Sequence, residues 1–352
     1  MLEIRNLQKR FDDADVLRGV SLAIGTGEFV TLLGPSGCGK TTTLRIVAGL
    51  TAPDAGSVLL DGVDITALPP EKRDVNTVFQ GYALFPHMNV GKNIAYGLRL
   101  RGVKKDVRVR RVQEMLRLVA LEGFEGRMPS QLSGGQRQRI AIARALVLEP
   151  KLLLLDEPLG ALDLKLRQQM QRELKDIQKR SGIAFLYVTH DQEEALNLSD
   201  RIAIMRDGLI EQVGAPEDIY ERPQTRFAAE FIGQSNFLPC EVVDVGNGVP
   251  MLSCAGKRFP GRPGYPNLRV GDKVEACLRI ERVYFSRAPL GDCALPAVLK
   301  SRHYAGGSIR ETAVLPDGQE VFAIQQSSGE ERLAEGEPIY VCWDPGEAAL
   351  VQ

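Results

Sequence analysis

The sequence predicts an α/β domain built on a parallel sheet, followed by a small all-β domain. Three observations predict it. First, the runs Glu28–Leu33, Lys151–Leu155, Ala184–Thr189 and Arg201–Met205 are largely apolar and alternate with helical stretches. Strands buried on both faces and interleaved with helices make a parallel sheet covered by helices. Second, residues 88–150 carry little strand signal and are rich in Leu, Arg and Gln, which reads as a helical insertion. Third, the composition changes after Phe231–Asn236 to short β-branched runs separated by Gly and Pro. These divide the chain into an α/β domain over 1–235, with a helical subdomain at about 88–150, and an all-β domain over 236–352.

The elements follow in order. Glu28–Leu33 ends at a glycine-rich turn, and Thr41–Ala48 reads as a helix stopped by Gly49. Ser57–Leu60, followed by the turn pair Asp61-Gly62, marks a peripheral antiparallel region. In the insertion, Val112, Met115, Leu116 and Val119 have helical spacing. Its basic stretch, Lys104, Lys105, Arg108, Arg110 and Arg111, is a solvated helix face or a partner surface. Leu164–Lys179 is a further helix. In the tail, Ala313–Phe322 reads as a hairpin around Pro316-Asp317-Gly318. A faint repeat matches Gly271–Leu278 with Gly336–Trp343, as two β units of a barrel with closed edges would. The matched Cys277 and Cys342 then occupy equivalent core positions and do not form a disulfide.

Composition sets limits. Length 352 suits two or three domains, and 44% hydrophobic with 25% charged residues excludes a largely disordered chain. Lys+Arg 44 against Asp+Glu 45 leaves a net charge of -1, so no bulk electrostatic grip on nucleic acid is indicated. No apolar run approaches the ~20 residues that span a bilayer, and the start resembles no secretory signal. A cytosolic protein is expected, free to dock on a membrane partner. The six cysteines include no Cys-x-x-Cys pair and there are three histidines, so no structural zinc site is expected. The cysteines read as reduced and structural.

The strongest motif is Gly34-Pro35-Ser36-Gly37-Cys38-Gly39-Lys40-Thr41, with Thr42 following. It fits G-x-x-x-x-G-K-[ST], follows a predicted strand and opens a helix. Triphosphate oxygens must meet several backbone N–H groups at once, and Gly37 and Gly39 allow that curvature. Lys40 can reach the β- and γ-phosphates, and the Thr41 hydroxyl can ligate Mg²⁺. Cys38 offers only its backbone. The second motif is Leu152–Leu155 followed by Asp156 and Glu157. An apolar strand delivering two acids suits Asp156 as the Mg²⁺ partner and Glu157 as general base. Burying them without a counter-ion would be costly, and the metal supplies that charge. Together these motifs indicate a P-loop NTPase. A third, Leu132-Ser133-Gly134-Gly135-Gln136, precedes an Arg-rich helix. Ser133 reads as a helix N-cap that presents a hydroxyl, glycine N–H groups and a helix dipole to an anion.

In motif order this chain resembles, over essentially its whole length, the ATPase subunit of an ATP-binding cassette importer. The resemblance implies further roles. Gln80, in Val78-Phe79-Gln80, matches the glutamine that senses Mg²⁺ and the attacking water. Asp163, in Leu159-Gly-Ala-Leu-Asp163, matches the D-loop. His190, in Val188-Thr189-His190-Asp191, matches the switch histidine that contacts the γ-phosphate. Phe11 matches the aromatic that stacks on adenine, with Val16 sharing the task. It implies ATP and Mg²⁺ as cofactors and a homodimer, with each nucleotide between the Gly34–Thr41 loop of one chain and Leu132–Gln136 of the other. Two transmembrane permease subunits, and through them a solute-binding protein, are the implied partners, with nucleic acid not among them. Tyr82, Phe85, Pro86 and His87 are then the permease socket, and the location is cytoplasmic, peripheral on the inner face of the membrane.

The tail resembles the TOBE-like, OB-type regulatory barrel of importers for maltose, glycerol-3-phosphate, polyamines, sulfate or iron. Its Leu278-Arg-Ile-Glu281-Arg lacks the usual proline before the glutamate. Leu162–Lys175 and Thr189–Ala195 are most similar to the spermidine/putrescine type. The alternatives are the same ATPase role for sugar, glycerol-3-phosphate, iron or sulfate import. A cassette ATPase of DNA repair or translation is the alternative of a different class. Those carry two cassettes per chain or a long coiled-coil insertion, and here there is one cassette and no heptad run.

Overall fold

The computed structural model describes residues 1–351 apart from 13, 161, 247–248, 263–267 and 328–332. The chain forms two compact units, Met1–Pro216 and Glu217–Gln352.

The first unit runs β1 (Leu2–Phe11), β2 (Ala14–Ile24), β3 (Phe29–Leu33), α1 (Lys40–Val47), β4 (Ala55–Leu60), β5 (Val63–Asp64) and β6 (Val75–Val78). The helical insertion follows: α2 (Val90–Leu100), α3 (Lys105–Leu118) and α4 (Gly134–Leu146). The unit closes with β7 (Leu152–Asp156), α5 (Leu164–Ser181), β8 (Ala184–Thr189), α6 (Gln192–Leu198), β9 (Arg201–Arg206) and β10 (Leu209–Gly214). A six-stranded sheet has the order β10-β9-β3-β8-β7-β6. It is parallel from β9 to β6, and β10 is antiparallel to β9. Every residue of β3 and β8 is buried, as strands with helices over both faces require. A second, antiparallel sheet has the order β2-β1-β4-β5. Asp61 (φ 51) and Gly62 (φ 77) make the tight turn between β4 and β5. One hydrophobic cluster lies between the two sheets, and another under the insertion, where Val112, Leu116 and Val119 meet Ile140 and Leu146.

The second unit is built from two five-stranded antiparallel sheets around one core. The first orders Lys257–Pro260, Met251–Cys254, Ser235–Asp244, Lys273–Arg279 and Ala349–Val351. The second orders Val283–Ser286, Pro338–Trp343, Ala294–Ala305, Ser308–Val314 and Glu320–Gln326, and it curls until its end strands approach each other. Gly318 (φ 88) turns the hairpin between Val314 and Glu320. The compact unit begins before the composition change at 236 because the helices Pro216–Glu221 and Arg226–Phe231 pack on these strands. Arg279 donates to Ala229 O at 2.8 Å, Tyr220 O at 2.7 Å and Ser235 Oγ at 2.9 Å.

The repeated segments form central strands of the two sheets, and Cys277 and Cys342 are both buried and free. Their neighbours Ala276, Leu278, Val341 and Trp343 line the main core, and the cysteines do not. The two positions are equivalent, but alternation along a strand turns them to the reverse face. Glu281 is engaged locally, accepting a hydrogen bond from the Tyr220 hydroxyl. All six cysteines are free. Among the described residues no cluster of three His, Cys, Asp or Glu side chains could hold a metal, and no helix is long and apolar enough to cross a membrane.

Candidate functional site

The C-terminal ends of β3, β8, β7 and β6 line one edge of the parallel sheet, the edge where open α/β sheets bind ligands. Leu33 registers with Thr189, Asp156 with Val188 and Val78 with Leu155. Parallel pairing therefore brings four chain segments together: the 34–41 loop, Asp156-Glu157, Thr189-His190 and Gln80.

The glycines of the loop divide their work. At Gly34 a Cβ would sit 2.3 Å from Met205 O, so that glycine admits the backbone of the neighbouring strand. Gly39 (φ 103) caps α1 and lies against Leu17 and the Val16 carbonyl. Gly37 (φ 83) and Ser36 face open space, where phosphate oxygens would lie. Lys40 is buried and donates to Gly34 O at 2.7 Å and Pro35 O at 2.8 Å. The loop thus holds its own cation, which a phosphate can draw outward. The Cys38 thiol is buried 3.8 Å from Lys40 Nζ, and burial pushes its pKa up, so it is no nucleophile at rest. Phe11 stands at the β1–β2 hairpin tip, 46% exposed, with the Lys9 ammonium 5.2 Å from its ring.

Thr41 Oγ1 donates to Asp156 Oδ1 at 3.1 Å, and burial raises the Asp156 pKa. A carboxyl beside a hydroxyl is a pair of hard oxygen donors, which fits Mg²⁺. Glu157 is held in a left-handed backbone (φ 45), its N–H donating to Val188 O at 3.0 Å. Its Oε1 meets His190 Nδ1 at 3.1 Å. A carboxylate only accepts, so this bond exists when Nδ1 carries the proton. Gln80 is exposed, and its Nε2 comes within 3.6 Å of where a Cβ on Gly160 would stand.

Ser133 caps α4 in a capping box: Gln136 N donates to Ser133 Oγ at 3.3 Å, and Ser133 N to Gln136 Oε1 at 3.0 Å. Gly134 and Gly135 permit close packing, since a Cβ would meet Leu162 at 3.2 Å and Met170 at 2.9 Å. Leu132 is buried beneath them. Asp163 caps α5, accepting from Leu166 N at 2.9 Å; Ala161 of that stretch lies outside the described residues. Among the described residues no hydrogen bond or ion pair joins 132–136 to the 34–41 loop. Thr42 is half-buried in the first turn of α1.

The expected partner socket needs correction at one residue. Tyr82 is only 9% exposed and belongs to the core under the insertion, because its left-handed backbone (φ 60) turns the ring inward. Phe85 is half-buried with its ring 4.6 Å from Tyr96, whereas Pro86 and His87 are exposed. Beside them His87, Met88, Lys92, Tyr96, Arg108 and Val112 line a groove of about 730 Å³.

Sequence reasoning missed the residues that steady these loops. Arg167 donates to Asp191 Oδ2 at 2.8 Å and to Leu162 O at 3.2 Å, tying the segment before α5 to the one beside His190. Buried Glu194 accepts from Tyr187 and Thr189 hydroxyls, both at 2.7 Å. Arg167 stands in the segment that carries the subfamily resemblance, and only that resemblance could have flagged it.

The fold and the site define a P-loop nucleotide-binding cassette. The ABC transporter family profile matches residues 17–160, and the TOBE domain profile residues 261–351. The chain is 50% identical over 346 residues to the spermidine/putrescine import ATP-binding protein PotA of Rubrobacter xylanophilus, covering 97% of this chain and 91% of that one. The protein of the same name from Marinobacter nauticus is 47% identical, covering 98% and 94%. Among solved structures, a dimeric post-hydrolysis state of the ATP-binding cassette MJ0796 bound to ADP and Pi matches with TM-score 0.54 and 33% identity, over 61% of this chain and 99% of that one. This chain belongs to the ABC transporter ATP-binding protein family, whose activity is ATP hydrolysis coupled to transport.

Proposed function

We propose that the chain is the ATP-hydrolysing subunit of a polyamine importer, taking spermidine or putrescine. The observation that carries the solute is the identity of 47–50% running through both units to two spermidine/putrescine import proteins. In this reading 1–235 is the catalytic domain and 236–352 a regulatory barrel. Two copies form a homodimer on the inner face of the membrane. They dock on two permease subunits through Phe85, Pro86, His87 and the groove beside them, and a solute-binding protein delivers the polyamine.

The residues divide the work as follows. Phe11 stacks on adenine, with Val16 beside it. The 34–41 loop and Thr42 cradle the phosphates, and Lys40 leaves its loop carbonyls for the β- and γ-phosphates. Mg²⁺, held by Thr41 and Asp156 and sensed by Gln80, would neutralise phosphate charge. Glu157 takes the proton of the attacking water, and His190 orients Glu157 and contacts the γ-phosphate. Ser133 and the amides of Gly134 and Gly135 meet the γ-phosphate of the partner chain, with Leu132 and Gln136 shaping that end and Asp163 fixing the adjacent turn. Hydrolysis removes the γ-phosphate bridge and lets the dimer reopen.

The test is uptake. In proteoliposomes holding the ATPase, its permease pair and binding protein, labelled spermidine should enter only with ATP on the ATPase side. Uptake of a sugar or sulfate in place of polyamine would refute the solute. No ATP-driven uptake of any solute would refute the importer.

A further inference from the structure

The loop that joins Gln80 to the groove is held in place by two side chains. Tyr82 (φ 60) and Ala83 (φ 46) are consecutive left-handed residues, a strained pair for side chains with a Cβ. Tyr82 N donates to Phe79 O at 2.8 Å and Ala83 N to Gly81 O at 2.7 Å, so the chain doubles back on itself. One guanidinium takes both carbonyls of the strained pair. Arg144 Nη1 donates to Ala83 O at 2.7 Å and Nη2 to Tyr82 O at 3.1 Å, with the group 5.4 Å from the Phe85 ring centre. Burial disfavours its charge, and among the described residues no carboxylate pairs with it. Farther along the loop, buried Asn93 accepts from Phe85 N at 2.9 Å and donates to the carbonyls of Phe85, Met88 and Asn89.

Arg144 lies on α4, the helix that Ser133 caps. At 1.5 Å per residue the two are roughly 16 Å apart along a single rigid helix. We propose that Arg144 is a positioning residue that clamps the strained Tyr82–Ala83 turn to α4, so that the nucleotide-facing end of α4 and the permease-facing loop move as one. The inference rests on the importer reading above. Its physical core is the fork: a planar guanidinium satisfies two divergent carbonyls at once, and a lysine ammonium on a flexible stem does so poorly. Without the clamp, the strained pair relaxes and the loop no longer follows α4.

The experiment measures spermidine uptake and ATP hydrolysis in the same proteoliposomes of the full complex. Arg144→Ala should lower spermidine moved per ATP about tenfold or more, with ATP binding by the subunit within about threefold. Arg144→Lys should fall between. Glycine adopts the left-handed conformation without strain. Ala83→Gly should therefore leave the wild type unchanged and recover several-fold of the lost ratio in the Arg144→Ala background, which lost stability alone would not predict. A wild-type ratio in folded Arg144→Ala overturns the clamp and leaves the importer standing. If Arg144→Ala does not fold, a wild-type ratio in Arg144→Lys overturns it equally. A wild-type complex with no ATP-driven uptake sinks the importer reading and the clamp together.

Discussion

The sheet-edge polar groups of the first unit and the buried charges of the second are paired in opposite ways. In the second, charged groups below the surface are closed into complete sets. Arg279 spends its donors on Ala229, Ser235 and Tyr220, and Arg302 pairs with buried Glu311 at 3.0 Å. In the first, the groups at the sheet edge have partners that can be exchanged. Lys40 rests on loop carbonyls, Thr41 on Asp156 and His190 on Glu157, and in the proposed function Lys40 would exchange its carbonyls for phosphate oxygens, Thr41 would turn to Mg²⁺, and His190 would add the γ-phosphate. The lesson is that polar pairing which completes itself supports a fold, whereas pairing with replaceable partners supports a reaction. Substitutions at the sheet edge should then change turnover and spare stability, and those in the second unit should do the reverse.

The largest expected effect tests the first half of that statement. Glu157→Gln keeps the shape and the bond to His190 but cannot take a proton. ATP turnover should fall by ~10²–10⁴, measured by phosphate release, with ATP binding retained. The variant should accumulate as an ATP-bound dimer on gel filtration. Turnover within a few-fold of wild type would remove Glu157 as the base.

The second half is tested by Arg279→Ala. It strips two backbone carbonyls and a hydroxyl of their donor, a loss of ~3 kcal/mol or more by the usual cost of unpaired buried groups. For a unit of this size that is roughly a 10 °C drop in its melting temperature. Trp343 is the chain's one tryptophan and lies buried in the second unit, so its fluorescence reports that transition alone. ATP turnover should stay within about twofold. A large loss of turnover together with an unshifted Trp343 transition would reverse the comparison.

The same contrast explains what the sequence made legible. Strands β3, β7, β8 and β9 were readable because burial on both faces leaves unbroken apolar runs. The 34–41 loop and Asp156-Glu157 were readable because their chemistry demands particular residues at fixed spacing. Strands β1 and β2 escaped notice because register shifts between Ile4 and Leu7, and between Lys9 and Arg10, break the alternation. Strand β6 buries only its two end residues. Tyr82 reads as part of the permease socket because nothing local announces a left-handed turn. Arg144 and Asn93 resemble solvated helix polar residues, and Arg144's partners lie some sixty residues away. Replaceable pairing concentrates in motifs, whereas complete pairing is distributed and leaves little local signature.

The smallest effect concerns acid, where the two units should differ only in which pair fails. Asp61, at the turn after β4, accepts a hydrogen bond from Lys151, at the start of β7, and so links the two sheets of the first unit. Lys151 first, and the terminal amine second, hold its pKa at about 2 against an ordinary 3.8. A carboxyl with a depressed folded pKa adds stability above its unfolded value and loses it as the pH falls through the folded one. That contribution is therefore present above about pH 4 and fades toward pH 2. In the second unit Arg287 lowers the Glu337 pKa in the same sense. Asp61→Asn should flatten the acid dependence of the first unit's urea midpoint between pH 4 and 2, followed by helical circular dichroism. Trp343 fluorescence should report an unchanged dependence for the second unit, because Glu337 and Arg287 are untouched. Both pairs are solvent-exposed, so the effect is small and should shrink further in high salt. A first-unit slope that Asp61→Asn leaves intact would mean that other carboxylates set its acid edge, and that the two sheets are held by their shared apolar core without help from this pair.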